Sequence, residues 1–154
     1  GAYQGDIDLS GIHLANLSIT DGASQTNVHF NSVNPTRMQE LSYKTGASQV
    51  KLYGLANANF TDMTFESGAG DYTLDFGGKL QQDATVTVKS GVSQVTIVVP
   101  SGMQVRVNNQ AGVGSVDTSG SWTSNGDTYT TRGSGSVLTI NVNMGVGSLK
   151  LEQH

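Results

Sequence analysis

The chain has no cysteine, which excludes a disulfide framework, thiolate metal sites and a cysteine nucleophile together. Charge is scarce as well. Only 13% of the 154 residues are charged, the net charge is −4, and no block of Lys or Arg could track a phosphate backbone, so nucleic acid is not an expected partner. No apolar run approaches the ~18 residues that a membrane-spanning helix needs. The start Gly1-Ala2-Tyr3-Gln4 has neither the basic residues nor the apolar core of a signal peptide. Its lack of an initiating Met leads to the expectation of a trimmed chain whose upstream part holds a signal or an anchor.

In place of charge the chain carries Ser, Thr, Asn, Gln and 20 Gly, the composition of repetitive β proteins whose neutral polar ladders cover the outside. A Gly-small-small tripeptide recurs at Gly22-Ala23-Ser24, Gly46-Ala47-Ser48, Gly68-Ala69-Gly70, Gly91-Val92-Ser93, Gly112-Val113-Gly114 and Gly145-Val146-Gly147. The steps between the leading glycines are 24, 22, 23, 21 and 33 residues, a period too short for a helical pair and suited to a solenoid.

Aligned on that glycine, the segments form columns. Three residues before it stand Ile19, Tyr43, Phe65, Val88, Asn109 and Val142; five before it stand Leu17, Leu41, Met63, Val86, Val107 and Ile140. The intervening Ser18, Ser42, Thr64, Thr87, Asn108 and Asn141 are small and polar. After the glycine, Thr26, Val50, Tyr72, Val95, Val116 and Leu149 alternate with outward polar residues, followed two positions on by Val28, Leu52, Leu74, Ile97, Thr118 and Leu151. This period of two predicts two short strands per repeat, joined at a glycine turn and stacked in parallel. The expected fold is all-β: a single-stranded parallel β-helix, or β-solenoid, of about six coils. By the usual preference of parallel crossovers it is right-handed. One domain covers residues 1–154, and at ~4.8 Å per coil it makes a rod of roughly 25–30 Å. The returns between coils vary, but Leu14, Met38 and Phe60 share a column that places an apolar contact in the early ones.

The last repeat is longer, with an insertion at about 119–136 that holds Trp122, Asp127, Tyr129 and Arg132. Two readings apply: a flap covering the end of the core, or an interaction loop carrying the chain's one Trp beside a Tyr and an Arg. The last strand, Leu149 to Glu152, would permit end-to-end association if its edge were uncovered.

Catalytic and metal chemistry find little support. Gly68-Ala69-Gly70-Asp71-Tyr72-Thr73-Leu74 has the look of a calcium-binding β-roll turn, but the column of Asp71 holds Gln25, Gln49, Gln94, Ser115 and Ser148, which lack the charge calcium needs. It reads better as an outward amide ladder. Asp71 and Asp75 lie four residues apart on one strand, about 13 Å, too far for a glycosidase pair; Asp62 and Glu66 fail likewise. Asp6 and Asp8 read as charges protecting an edge strand. His13, His29 and His154 share no motif, and His29 meets Asp75 in a column only two coils away. Ser24, Ser48 and Ser93 read as turn residues, and Lys44, Glu66 and Lys89 as a register device of alternating sign. Thr85-Val86-Thr87 and Thr128-Tyr129-Thr130 do not recur coil after coil, which argues against an ice-binding face. No catalytic residue, metal site or cofactor is expected.

The stretches Leu41 to Leu52, Asn57-Ala58-Asn59-Phe60, Gly68 to Phe76 and Gly145-Val146-Gly147-Ser148-Leu149-Lys150-Leu151 give the chain a resemblance to the bacterial toastrack-like family of β-strand-repeat domains. These are often labelled "putative adhesin" or left as domains of unknown function. The C-terminal domains of cell-wall-active antibiotic response membrane proteins are similar. The resemblance implies an extracytoplasmic or cell-surface module of a bacterial envelope protein, attached to the membrane through a segment absent here. It implies no catalytic residues. The expected function is non-enzymatic adhesion or interaction with an unknown protein or a cell-envelope glycan. An envelope-stress sensing domain is the first alternative, and a polysaccharide-acting β-helix enzyme the second.

Overall fold

Alternation of apolar with small polar residues, rich in Val, Ile, Thr and aromatics, gives the chain its strands. The computed structural model describes residues 2–110 and 113–154. It contains β1 (Ala2–Asp8), β2 (Asn16–Thr20), β3 (Ala23–His29), β4 (Met38–Tyr53), β5 (Phe60–Asp75), β6 (Ala84–Val99), β7 (Gly102–Asn109), β8 (Val113–Ser119), β9 (Thr123–Asn125), β10 (Thr128–Thr131) and β11 (Gly133–Gln153), with one 3-10 helix at Leu55–Ala58. The architecture is all-β, an open and mostly parallel sheet ordered β1-β3-β4-β5-β6-β11-β7-β10-β9, with β2 paired to β4 and β8 to β11.

The expected columns appear as ladder register. Leu41 pairs with Met63 and Tyr43 with Phe65; Met63 pairs with Val86, and Val86 with Ile140. After the turn, Val50, Tyr72, Val95 and Leu149 follow one another in the same way. Where two strands per repeat were expected, β4, β5, β6 and β11 each run unbroken through the glycine but bend there. In β5, Phe65 and Tyr72 are seven residues apart, which would separate them by about 23 Å in a straight strand, yet their ring centroids are 5.2 Å apart. Both arms of each bent strand thus bury alternate residues in one core, from Val28 and Phe30 through Tyr43, Phe65 and Tyr72 to Ile140 and Leu151.

The repeat glycine is required by stacking. A Cβ on Gly46 would stand 2.5 Å from the Gly22 carbonyl oxygen, and one on Gly91 would stand 2.7 Å from that of Gly68. Two positions on, Gly147 has φ 146° and a Cβ there would run into the Ser93 carbonyl oxygen, so this site needs glycine for conformation and for space. Gly112 of the fifth tripeptide lies outside the described residues.

The spatial order departs from the sequence order. β11 inserts between β6 and the pair β7/β8, so Ile140 lies between Val86 and Val107, and Leu149 between Val95 and Val116. The columns explain the choice. β11 fills every core position with an apolar residue and suits an interior rung, whereas β7 and β8 bring Asn109 and Thr118 to those columns and suit the end. As a result Leu149 to Glu152 is paired on both sides, which removes the open edge that end-to-end association through it would need. The outer edge of β7 is met by the hairpin β9–β10, antiparallel, with Thr128 opposite Asn108 and Thr131 opposite Val105.

Asparagines hold the irregular returns together. Buried Asn34 donates from Nδ2 to the Leu14 and Ala58 carbonyls (2.8 and 3.2 Å). Asn57 donates to the Phe30 carbonyl (3.0 Å), and Asn59, at φ 60°, to that of Asn34 (3.0 Å). These bonds satisfy backbone groups that the loops leave without ladder partners, and they keep Leu55, Ala56 and Ala58 in the core.

Candidate functional site

Beyond Ser119 the chain must cross from β8 to the hairpin over the end of β11. Gly120 makes this possible: its φ is 103°, and a Cβ would lie 2.7 Å from that of Gln153. The Trp122 indole donates from Nε1 to the Ser119 carbonyl (3.2 Å), and the Ser121 N–H donates to Gln153 Oε1 (2.9 Å). Trp122 is half-buried against the core. Arg132, exposed between β10 and β11, completes a cleft of about 430 Å³ lined by Ser121, Trp122, Thr123, Arg132 and Gln153.

Of the four residues singled out in the insertion, the structure brings Trp122 and Arg132 together and leaves two outside the cleft. Tyr129 faces inward opposite Val107 and packs on the core. Asp127 sits at the hairpin turn, where its carbonyl accepts the Asn109 N–H (2.8 Å). Gln153 could not be anticipated from sequence, because it reaches the cleft only through the insertion of β11 between β6 and β8.

Elsewhere the columns hold while the contacts differ. Gln25, Gln49, Asp71 and Gln94 are in register, but no hydrogen bond joins their side chains among the described residues. Lys44 and Glu66 approach to 3.9 Å, with Lys89 next in register. Ser48 bonds to Thr45, and Ser93 to Ser90. Thr85-Val86-Thr87 and Thr128-Tyr129-Thr130 prove to share two outward files, because antiparallel β10 sets Thr128 against Asn108 and Thr130 against Arg106. Thr139 and Asn141 of β11, with Arg106 and Asn108 of β7, fill the rungs between.

Two ionic features were not visible in the sequence. His29 pairs with Asp6 (Nε2 to Oδ1, 3.0 Å) and stacks on Tyr53 (centroids 5.0 Å apart), holding edge strand β1 to β3. Neighbouring Asp8 has its carboxyl held below the usual range, first by hydrogen bonds from Ser10, whose N–H donates at 2.9 Å. Asp21 is buried, 6% exposed, and accepts from the Tyr43 hydroxyl (2.7 Å) and from Thr45 Oγ1. Burial raises the Tyr72 phenol above 10.0. Among the described residues no group of three or more His, Asp or Glu could hold a metal ion, and no helix is long and apolar enough to cross a membrane.

A bent, mostly parallel β-repeat scaffold with one cleft-bearing insertion defines the class. Residues 33–98, from the return before β4 through most of β6, match the family model of the N-terminal domain of toast_rack, DUF2154. Over that stretch, less than half of its length, the chain is similar to a toastrack domain. Its fold is similar to the crystal structure of a putative cell adhesion protein from Clostridium sporogenes ATCC 15579, with a TM-score of 0.66 and 15% identity over 99% of this chain and 92% of that one. No curated protein matches the chain significantly.

Proposed function

We propose that this domain is a non-catalytic interaction module of a bacterial envelope protein, working outside the cytoplasm in adhesion, with its contact surface in the insertion at about 119–136. The scaffold in this reading is a right-handed β-solenoid of about six coils. The observation that carries it is the cleft. The repeat uses its residues for core columns, close-packed turns and outward polar files, whereas the insertion sets a half-buried Trp122 beside Arg132, which has no ion pair among the described residues. Aromatic and arginine anchors of this kind dominate recognition surfaces. Cell adhesion, the role ascribed to the structurally similar protein from Clostridium sporogenes, agrees with this reading, as does the toast_rack match.

The test is retention of the purified domain by bacterial cell-wall sacculi and by immobilised envelope proteins, measured as a binding isotherm. Saturable retention, lost on Arg132→Glu with the fold intact by circular dichroism, supports the module. Absence of retention on every envelope fraction contradicts it, as does turnover of a glycan or ester abolished by a single substitution.

A further inference from the structure

The cleft carries one positive charge and no negative one, in a chain whose net charge is −4. Arg132 makes neither an ion pair nor a hydrogen bond among the described residues, so its planar fork of donors is available to an oxyanion. Gln153 has its Oε1 engaged by the Ser121 N–H (2.9 Å), which leaves its Nε2 donors for a ligand. The Ser121 and Thr123 hydroxyls have no partner among the described residues either. The Trp122 N–H is already engaged by Ser119, so what the indole offers is ring surface. A volume of about 430 Å³ falls within the ~300–1,000 Å³ of small-molecule sites.

From these groups we infer that the cleft binds a carboxylated saccharide, the sugar ring lying on Trp122 and its carboxylate held by Arg132. The inference rests on the interaction-module reading and names its ligand class. Carboxylate and guanidinium form a charge-assisted, commonly bidentate pair. Sugar hydroxyls, each donor and acceptor, match Ser121, Thr123 and the Gln153 amide. A peptide captured by a sheet would instead read backbone groups along an open strand edge, and the cleft presents side chains around a single ring.

Trp122 is the only tryptophan, so tryptophan emission, excited beyond the absorption of the five tyrosines, reports on this cleft alone. The whole domain is titrated with trigalacturonate, with the uncharged galactotriose and with triglutamate. A saturable change in emission with trigalacturonate is expected, weakened at least about tenfold in galactotriose and in the R132Q variant, as loss of one charge-assisted pair requires. Arg132 is exposed, so R132Q should fold; an unchanged melting temperature checks this. Calorimetric titration of Q153E, which sets a carboxylate in the cleft, should show the same loss. Equal binding of galactotriose, undiminished affinity in R132Q, binding of triglutamate in preference to the saccharide, or no response to any probe overturns the inference. If sacculi still retain the domain in an Arg132-dependent way while trigalacturonate does not bind, the ligand class is wrong and the module reading stands. If retention fails too, both fall.

Discussion

Phe65 and Tyr72 belong to the same strand and meet edge to face across the core, their centroids 5.2 Å apart at 67°. The contact exists because the strand folds over at Gly68–Gly70, and the Tyr72 hydroxyl fastens the bend by donating to the Ala69 carbonyl (2.7 Å). Phe65→Ala should destabilise the domain by about 3–5 kcal/mol through the cavity it leaves. Tyr72→Phe, which removes only the hydroxyl, should cost about 1 kcal/mol. Urea unfolding of the two variants checks the order and the size of the gap.

The glycines make a graded prediction. Gly147→Ala combines a left-handed φ with a collision against the Ser93 carbonyl and should cost more than about 3 kcal/mol. Gly46→Ala places a Cβ 2.5 Å from backbone at Gly22 and should rank next, ahead of Gly68→Ala, where the gap is 3.1 Å. Gly126→Ala meets nothing within 4 Å and should cost only the ~1 kcal/mol of its positive φ. Thermal melts of the four alanine variants should fall in that order.

Thr26 stands in the column of Val50, Tyr72 and Val95, is 1% exposed, and its hydroxyl has no hydrogen-bond partner among the described residues. Thr26→Val keeps the shape and removes an uncompensated buried polar group. The variant should be more stable by about 1 kcal/mol, read as a higher urea midpoint at unchanged slope.

The columns were legible because period-two alternation and a fixed glycine mark the core face of every segment. Tyr43 with Phe65, and Val95 with Tyr72, could be assigned to shared columns from sequence alone. The order of the rungs could not. Aligned repeats show which residues share a column and leave open which segments are neighbours, so the place of Ile140 between Val86 and Val107 needed the structure. The weaker apolar character of Asn109 and Thr118 was the available signal that their segment lies at an end. The Asp6–His29 pair escaped for a related reason: it is a diagonal contact between adjacent rungs, not a column. In the candidate site, Trp122 and Arg132 stood out as a break in the repeat, while Gln153 and the burial of Tyr129 depend on how the insertion folds back.

Glu152 supplies a pH dependence. Its carboxyl is held below the usual 4.5, first by the hydrogen bond from Lys150 (2.9 Å) and also by His154. A carboxylate whose pKa is depressed by folding stabilises the protein above its unfolded value, and that contribution is lost as the pH falls through the folded one. Between about pH 5 and 3 the melting temperature of the parent should therefore fall further than that of the E152Q variant, and above that range the parent should be the more stable. Parallel curves would remove the assigned role.

The division of labour between scaffold and insertion is tested most directly by binding isotherms on envelope sacculi for two variants measured side by side. One is Arg132→Glu in the cleft; the other is Lys44→Glu, which disturbs the outward Lys44–Glu66 pair of the repeat. Affinity should fall by about tenfold or more for Arg132→Glu and stay at the parental value for Lys44→Glu. Equal loss in both variants, or loss confined to Lys44→Glu, would place recognition on the repeat face and contradict that division.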